Sequence, residues 1–260
     1  MQVQSIPESD ERREIVILNP SKEFCRQIIN KYNSKDEIKE HITICAERKV
    51  LNSIKTEFKL STVAANLVES GNLTFRRLKS DISGTVVQIV DKIYTVIDSG
   101  SDFELLNIKQ ESDVNEKIEQ VLSESAAYEF DSVSWDTLYS TLENQLGEKV
   151  ARDYHYVIEN VSTFDNGVNK LNEISAILLV AGHHGIHLYH VSEWADSCGI
   201  ASKAMVSQKK IQLEEEGFLK SDTVETLGRG RPRLKLELPQ NMYEEKYDID
   251  VIKQLQEIII

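Results

Sequence analysis

The feature that most restricts the fold of this chain is the segment from Ile174 to Leu238, which ends in a strongly basic tip. It contains an apolar helical stretch, a turn, a second helix with a polar face, and two short strands around the hexapeptide GRGRPR at residues 228–233. This order is typical of winged helix-turn-helix domains, in which one helix enters a DNA groove and a loop enters the neighbouring groove. The segment therefore points to a DNA-binding regulator rather than to an enzyme.

The first predicted helix of this segment covers residues 171–181, because its apolar residues recur at helical spacing. Residues 187–190 are expected to form a short strand, as a third partner for the hairpin. A second helix is predicted over 191–198, with Ser192 as its cap. Gly199 then supplies the turn, since glycine reaches positive φ at little cost.

The third predicted helix carries candidate DNA contacts. It is expected to run from its cap at Ser202 to about Glu216, with Val206 and Leu213 facing the core. The contacts are expected near its N-terminal end, which is the part of a recognition helix that usually meets base edges. They are Ser202, Lys203, Ser207, Gln208 and Lys209.

Two strands, at 218–224 and 233–238, are predicted to form the wing, and leucine alternates at period two in the second. Arg229, Arg231 and Arg233 at the tip are separated by glycine and proline, which favours a narrow, extended loop. Such a loop fits the A·T-rich minor groove, where the negative potential is enhanced. The alternative is a solvated turn, but a position after a capped helix of suitable length favours DNA contact.

Several stretches of the sequence resemble one family, the TbsP-like transcriptional regulators of haloarchaea. The C-terminal stretches are GIASKA at 199–204, LEEEG at 213–217 and GRPRLKL at 230–236. The N-terminal half is also similar, in VILNPS at 16–21, STVAANLV at 61–68 and the region 135–146. The resemblance covers about residues 14–238, and it implies a sequence-specific regulator of central carbon metabolism genes.

The chain has 260 residues, which is long enough for two domains. Its content of 40% hydrophobic and 28% charged residues is ordinary for a globular protein. Three cysteines form no even framework, which fits a reducing cytoplasm. The polar start, Met1 to Arg13, is not a signal peptide, and the apolar run before Gly182 is too short to cross a bilayer. A cytoplasmic location with no membrane partner is therefore expected.

The net charge of −13 is unusual for a DNA binder, but its distribution explains it. Residues 111–170 contain 4 basic and 13 acidic side chains. In contrast, residues 202–212 and 228–235 together contain seven basic residues and no acidic one. Since salt screens distant charge within about 10 Å at 0.1 M, the local excess decides DNA contact. Non-specific binding is expected to be weak.

Residues 14–110 are predicted to form an α/β domain. Its strand–helix–strand–helix order implies parallel pairing, and the later hairpin adds antiparallel strands. This order is similar to a degenerate half of a phospholipase-D-like domain, by fold-level analogy. The enzyme of that fold needs a His-x-Lys pair, and residues 84–97 contain no histidine. No catalytic residue is therefore predicted, and the chain is expected not to be an enzyme.

A non-catalytic pocket for a phosphorylated metabolite is a candidate feature of this α/β domain. The candidate anion contacts are Arg48, Lys49, Arg76 and Arg77. The alternative, which the sequence favours for any single one of them, is an ordinary solvated cation. A domain of this kind would act as the effector-sensing part of the regulator.

The remaining segments complete the predicted organisation. Residues 1–13 form a disordered tail, 111–170 an acidic helical connector, 171–239 the winged helix-turn-helix domain and 240–260 a C-terminal tail. The connector helices either pack within the chain or pair with a second copy. A homodimer would suit palindromic double-stranded DNA sites in promoters, about one helical turn apart.

Four histidines, His183, His184, His187 and His190, lie within eight residues and raise the question of a metal. Zinc sites normally combine pairs of ligand residues that are separated in sequence and include cysteine. Each ligand side chain also needs a hydrogen-bond partner that orients it. The segment is predicted to span a helix end, a turn and a strand, so its side chains should point in different directions. No metal or other cofactor is predicted, and solvent-exposed loop residues are favoured over a metal site or a phosphate contact.

Three functions remain in comparison. The first is a transcription regulator with a metabolite-responsive α/β domain. The second is a winged helix that binds another protein and has no DNA target, for which an arginine-rich wing tip has no use. The third is a phosphodiester enzyme, against which the missing His-x-Lys pair argues.

Overall fold

The computed structural model describes residues 13–34, 38–79, 82–99, 102–108, 112–160, 172–224 and 233–240. The predicted tails at 1–13 and 240–260 lie outside these ranges, apart from Arg13 and Gln240, and so does the wing tip at 225–232. The chain divides into two compact units, Met1–Trp135 and Asp136–Ile260. No helix within the described ranges has the length and apolar character needed to cross a membrane.

The first unit is built on a mixed β-sheet. Within the described part of the chain, its strands are β1 (Arg13–Leu18), β2 (Glu40–Ala46), β3 (Leu73–Arg77), β4 (Val86–Ile89), β5 (Lys92–Asp98), β6 (Phe103–Ile108) and β7 (Ala126–Ala127). Their order across the sheet is β6-β5-β4-β1-β2-β3-β7. Strands β1, β2 and β3 pair in parallel, and the others add antiparallel. The predicted α/β class and its parallel centre are confirmed, while the likeness to a phospholipase-D-like half stays a prediction.

Helices cover both faces of this sheet. They are α1 (Lys22–Asn33), α2 (Arg48–Lys55), α3 (Phe58–Glu69) and α4 (Ser112–Glu124). The strands alternate, so Ile15 and Ile17 pack in the core under α1–α3. Leu18 and Cys45 belong to a second cluster with Ile118 of α4. This burial on both faces explains the nearly continuous apolar runs of β1 and β2.

The second unit contains five helices and a hairpin among its described residues. They are α5 (Trp135–Leu146), α6 (Glu148–Asn160), α7 (Glu173–His183), α8 (Leu188–Ser197), α9 (Lys203–Glu215), β8 (Lys220–Val224) and β9 (Arg233–Glu237). Helix α7 is buried from Ile174 to Gly182 and forms the centre of the unit. Tyr154 and Trp194 are both fully buried and meet edge to face, with ring centroids 5.8 Å apart.

The predicted connector at 111–170 is not one structural piece. Its first helix, α4, packs on the sheet of the first unit, and α5 and α6 lie in the second from Asp136 onward. That first helix ends at Glu124. Backbone pairing of β7 with Arg76 and Arg77 of β3 ends it.

The strand predicted at residues 187–190 is wrong. Only His187 makes a β-bridge, to Lys235, and α8 already begins at Leu188. The physical reason is that Leu188 shares the helical spacing of the buried Val191 and Ala195, so it continues the apolar face of α8. Ser192 therefore lies inside the helix and is not its cap.

Candidate nucleic-acid interface and effector cleft

The helix-turn-helix is formed by α8 and α9. Gly199 has φ 68°, which turns the chain between them, and the Ile200 amide donates to the Ala195 carbonyl at 3.0 Å. The Ser202 hydroxyl accepts a hydrogen bond from the Met205 amide at 3.3 Å. The predicted cap and start of α9 are thus confirmed. The helix also keeps its N-terminal end, with positive partial charge, available for an anionic partner.

The two sides of α9 differ sharply. Val206 and Leu213 are 0% and 4% exposed, as predicted from their spacing. On the opposite side lie Ala204 and Gln208, both exposed, and Ile211, which is 50% exposed. These three share one helical face, because they are four and three residues apart. Such a combination of an amide and apolar groups can read both hydrogen-bonding and methyl groups on base edges.

Met205 and Ile211 were not among the predicted DNA contacts, although the helical spacing of Ile211 places it off the core face. Both are half exposed on α9. The signal that could have found them is a large apolar residue off the buried spacing of a short helix. Ser207, which was predicted as a contact, is half-buried and donates to the carbonyl of Lys203 at 2.9 Å.

The lysines of α9 have different environments. Lys203 is exposed and pairs with Glu193 of α8, and that hydrogen bond raises the pKa of its ammonium group. Lys209 is half-buried, and its Nζ donates to Gln212 at 2.9 Å. Lys203 and Lys209 lie at the edges of the exposed face of α9.

Lys210 is 9% exposed and points away from the exposed face of α9. Its Nζ lies 2.7 Å from Glu214 Oε2 and 3.2 Å from Ser221 Oγ of β8. The residue belongs to the basic run of the sequence, but in the structure it joins α9 to the wing hairpin.

The wing hairpin is formed by β8 and β9, which pair from Lys220–Glu237 to Val224–Arg233. The predicted contacts Arg229 and Arg231 lie outside the described residues. Arg233 is described, and its guanidinium carbon lies 5.1 Å from the ring centroid of Tyr189. Tyr189 is 51% exposed in the first turn of α8. It was missed because a strand had been predicted there.

The base of the wing is firmly packed. Leu236 is fully buried, and its amide donates to the Ile186 carbonyl at 3.0 Å. A Cβ added at Gly182 would lie 2.7 Å from Leu219 Cδ1, so this glycine permits a close approach of α7 to the hairpin. The hairpin is therefore fixed to the helices, as a groove-binding wing requires.

The first unit contains a cleft of about 520 Å³ where the parallel strands end. Its lining residues are Arg48, Asn52, Lys55, Arg77, Ala126, Ala127, Tyr128, Glu129 and Asp131. Arg77 ends β3, and Arg48 begins the helix after β2. Open α/β sheets commonly bind ligands beyond the carboxyl ends of their strands.

The structure brings two of the four predicted anion contacts together, namely Arg48 and Arg77. Arg76 is the neighbour of Arg77 in β3, and neighbouring strand residues point to opposite faces. Its guanidinium donates to Ser125 Oγ at 2.6 Å and to the carbonyl of Leu122 at 3.1 Å, so it has a structural role. Lys49 is strongly exposed and lies 2.8 Å from Glu47, outside the cleft lining.

The sequence interpretation missed Lys55 and Tyr128 in the cleft. Lys55 pairs with Asp131, and this hydrogen bond lowers the pKa of the Asp131 carboxyl group. The Tyr128 hydroxyl donates to Asn52 Oδ1 at 3.1 Å. An anion in the cleft would compete with Asp131 for Lys55, which gives the site a charge pair that can rearrange.

The four histidines are not exposed loop residues as expected. His183 ends α7, His184 follows it, His187 precedes α8 and His190 lies in the first turn of α8. All four are half-buried. The His184 Nε2 lies 2.7 Å from Asp153 Oδ2 of α6, a partner that is distant in sequence.

Comparison with models of protein families identifies the family of the chain. Residues 7–131 match the model described as transcriptional regulator TbsP-like, N-terminal. Residues 134–256 match the model described as transcriptional regulator TbsP-like, C-terminal HTH domain. The chain belongs to the TbsP-like transcriptional regulator family. No curated protein matches it by sequence.

Family membership confirms the resemblance found in the sequence. It identifies a transcriptional regulator with a helix-turn-helix domain, the type of domain with which regulators bind DNA. The two matched regions of this TbsP-like chain meet near Trp135, where the structure also divides into its two units. The exposed face of α9 and the wing therefore lie in the matched DNA-binding half.

Proposed function

We propose that this TbsP-like regulator binds promoter DNA sequence-specifically, with α9 in the major groove and the wing in the neighbouring minor groove. The observation that carries the proposal is the exposed face of α9, beside a hairpin whose base is packed against α7 and α8. Helix-turn-helix domains use the N-terminal part of their second helix for base contacts.

Each candidate contact residue has a role that its chemistry supports. Gln208 can make two hydrogen bonds to adenine, and Ile211 can contact the methyl group of thymine. Lys203, Lys209 and the Ser202 hydroxyl would contact phosphates. Ser207 would contact a base edge at the margin of the interface. The arginines Arg229, Arg231 and Arg233 would contact the minor groove and its phosphates.

The test is DNA binding by matched arginine variants. We expect Arg231→Ala to lower the affinity for promoter DNA by about 1–3 kcal/mol. The control is Arg152→Ala, since Arg152 is a 63% exposed arginine of α6 that has no proposed DNA contact. Equal affinity of both variants and the wild type would exclude the wing from the interface.

A winged helix that only docks another protein is the alternative. It predicts no salt-dependent DNA binding at all, in contrast to the phosphate contacts proposed here. The protein is further proposed to be a cytoplasmic homodimer, to regulate central carbon metabolism genes, and not to act as an enzyme. A phosphodiesterase assay tests the proposed lack of enzyme activity, and the mass of the protein in solution tests the homodimer.

The first unit is proposed to sense a phosphorylated metabolite in the cleft that Arg48, Lys55 and Arg77 line. Three cations against Glu129 and Asp131 leave a cationic excess beside the carboxyl ends of the strands. The proposed likeness to a phospholipase-D-like half agrees with phosphate binding without catalysis.

Binding of inorganic phosphate and of sugar phosphates tests the effector proposal. We expect a rise in the thermal midpoint that Arg77→Ala abolishes, because a ligand that binds only the folded state stabilises it. Lys49→Ala is the matched control, since Lys49 is a neighbouring cation outside the cleft lining. Equal midpoint shifts in both variants would locate the anion elsewhere.

A further inference from the structure

Three metal-ligating side chains come together in the second unit. Asp153 of α6, His183 at the end of α7 and His184 each offer one ligand atom, and these atoms lie within 4.8 Å of one another. The Asp153 and His184 side chains are only 15% and 19% exposed. The two elements are far apart in sequence, which is why the histidine spacing alone did not reveal the cluster.

We propose that Asp153, His183 and His184 bind a divalent transition-metal ion, for which Zn²⁺ is the best match. Two imidazole nitrogens and one carboxylate oxygen are a common zinc donor set that leaves a fourth position for water. Mg²⁺ and Ca²⁺ prefer all-oxygen sites, so the two imidazoles disfavour them.

The distances require only side-chain adjustment. Bonds of about 2.0–2.1 Å in a tetrahedral site separate the ligand atoms by about 3.4 Å. The pair His184 Nε2 and Asp153 Oδ2, now 2.7 Å apart, would open slightly around an ion. The widest pair, at up to 4.8 Å, would close by rotation of the side chains.

The local electrostatics also favour a cation. His183 and His184 lie at the C-terminal end of α7, where the helix dipole places negative partial charge. Asp153 adds a carboxylate. Arg152 Nε lies 3.6 Å from Asp153 Oδ1 and would compete for it, but the arginine is 63% exposed and can turn into solvent.

An ion at this cluster would connect α6 with the segment that supports the wing. Directly after His184, the Ile186 carbonyl accepts a hydrogen bond from Leu236 of β9, and His187 bridges Lys235. Metal occupancy would therefore stabilise the second unit and the base of its hairpin. This consequence follows from the cluster and does not depend on the proposed DNA contacts.

The experiment is a competition titration of Zn²⁺ against a chromophoric chelator, using the full chain freed of metal. We expect one high-affinity ion per chain. Asp153→Asn, His183→Gln and His184→Gln should each weaken it by about 10- to 100-fold or more, since even outer partners of a metal site matter that much. Zn²⁺ should also raise the thermal midpoint of the wild type but not of Asp153→Asn.

Two controls make the result specific. His155→Gln alters a neighbouring α6 histidine that contacts Tyr139 and Glu159, and it should leave zinc affinity unchanged. A double substitution of His187 and His190 to glutamine should also leave it unchanged. Circular dichroism verifies that the variants fold, and Co²⁺ absorption gives an independent signature of nitrogen ligation.

Two results would overturn the proposal. One is that the wild type binds Zn²⁺ no more tightly than Asp153→Asn does. The other is that Zn²⁺ affinity falls in the His187 and His190 double variant but not in the variants of Asp153, His183 and His184. No DNA enters this titration, so its failure is distinguishable from failure of the proposed regulator function.

Discussion

Replacement of Lys210 by methionine tests which lysine of α9 has a structural role and which is proposed to contact DNA. Lys210 is 9% exposed, and its ammonium contacts Glu214 and Ser221. Methionine retains an unbranched apolar stem of similar length, so little packing is lost. What is lost is one ion pair and one hydrogen bond, which leaves Glu214 without its lysine.

The magnitude follows from the burial of the remaining carboxylate. Removal of one partner from a fully buried ion pair costs about 3–5 kcal/mol. The Glu214 side chain is 27% exposed and also accepts from the Ser221 hydroxyl, so part of this cost is relieved. We therefore expect Lys210→Met to lower the free energy of unfolding by about 1–3 kcal/mol.

Urea unfolding followed by circular dichroism measures this loss. With a slope near 2 kcal/mol/M, the midpoint should fall by about 0.5–1.5 M at unchanged slope. The matched control is Lys209→Met, one residue earlier, whose ammonium donates the hydrogen bond to Gln212 described above. It should leave stability within about 0.5 kcal/mol of the wild type.

DNA binding must show the reverse pattern. Lys209→Met should reduce the salt dependence of DNA affinity by about one phosphate contact, and Lys210→Met should leave it unchanged. If Lys210→Met instead keeps full stability and loses a phosphate contact, the assigned orientation of α9 is refuted.

The other predictions concern the cap, the wing and a buried thiol. Ser202→Ala should destabilise the second unit by about 1 kcal/mol in urea unfolding, because the Met205 amide loses its acceptor; an unchanged midpoint would contradict the cap. Arg233→Ala should weaken promoter binding more than Tyr189→Phe, which keeps the ring on which the guanidinium rests; anisotropy titrations with equal losses would argue against this ordering. Burial raises the pKa of the Cys25 thiol to about 12. The unfolded thiol titrates near about 8.5, so stability is complete below that pH and falls by up to about 1.4 kcal/mol per pH unit as the pH rises toward 12. Unfolding curves at pH 8 and pH 10.5 should therefore show a steeper loss for the wild type than for Cys25→Ala, and parallel losses would contradict a protonated buried thiol.

Most of the architecture was predictable from local patterns. Alternating and continuous apolar runs predicted the α/β order of the longer strands, and Ser202 marked a helix start that the structure confirms. These features depend on neighbours in sequence. The α9 core positions Val206 and Leu213 were found for the same reason.

What depended on distant partners was not predictable. Lys210 and Lys209 are equivalent in sequence, and only the approach of β8 makes one of them structural. Arg76 and Arg77 are likewise equivalent in sequence, and they differ in the structure because neighbouring residues of a strand point to opposite faces of the sheet. His184 resembled a loop residue because its partner, Asp153, lies on another helix.

The end of α4 and the start of α8 show a related limit. Apolar content could not distinguish the continuation of a helix from the two-residue strand at Ala126–Ala127, since pairing with β3 decides it. Likewise, His187 makes a strand-like bridge while the next residue is helical. Such boundaries are set by tertiary contacts rather than by propensity.

Fluorescence anisotropy on promoter fragments tests the central claim most directly. The wild type and Gln208→Ala should be titrated against a pool of fragments and against random duplex, at two salt concentrations. We expect fragment-selective binding that weakens with salt, and a larger loss of affinity for Gln208→Ala on the selected fragment than on random DNA. Equal losses on both DNAs, or no binding of the wild type at low salt with or without a sugar phosphate, would contradict the claim.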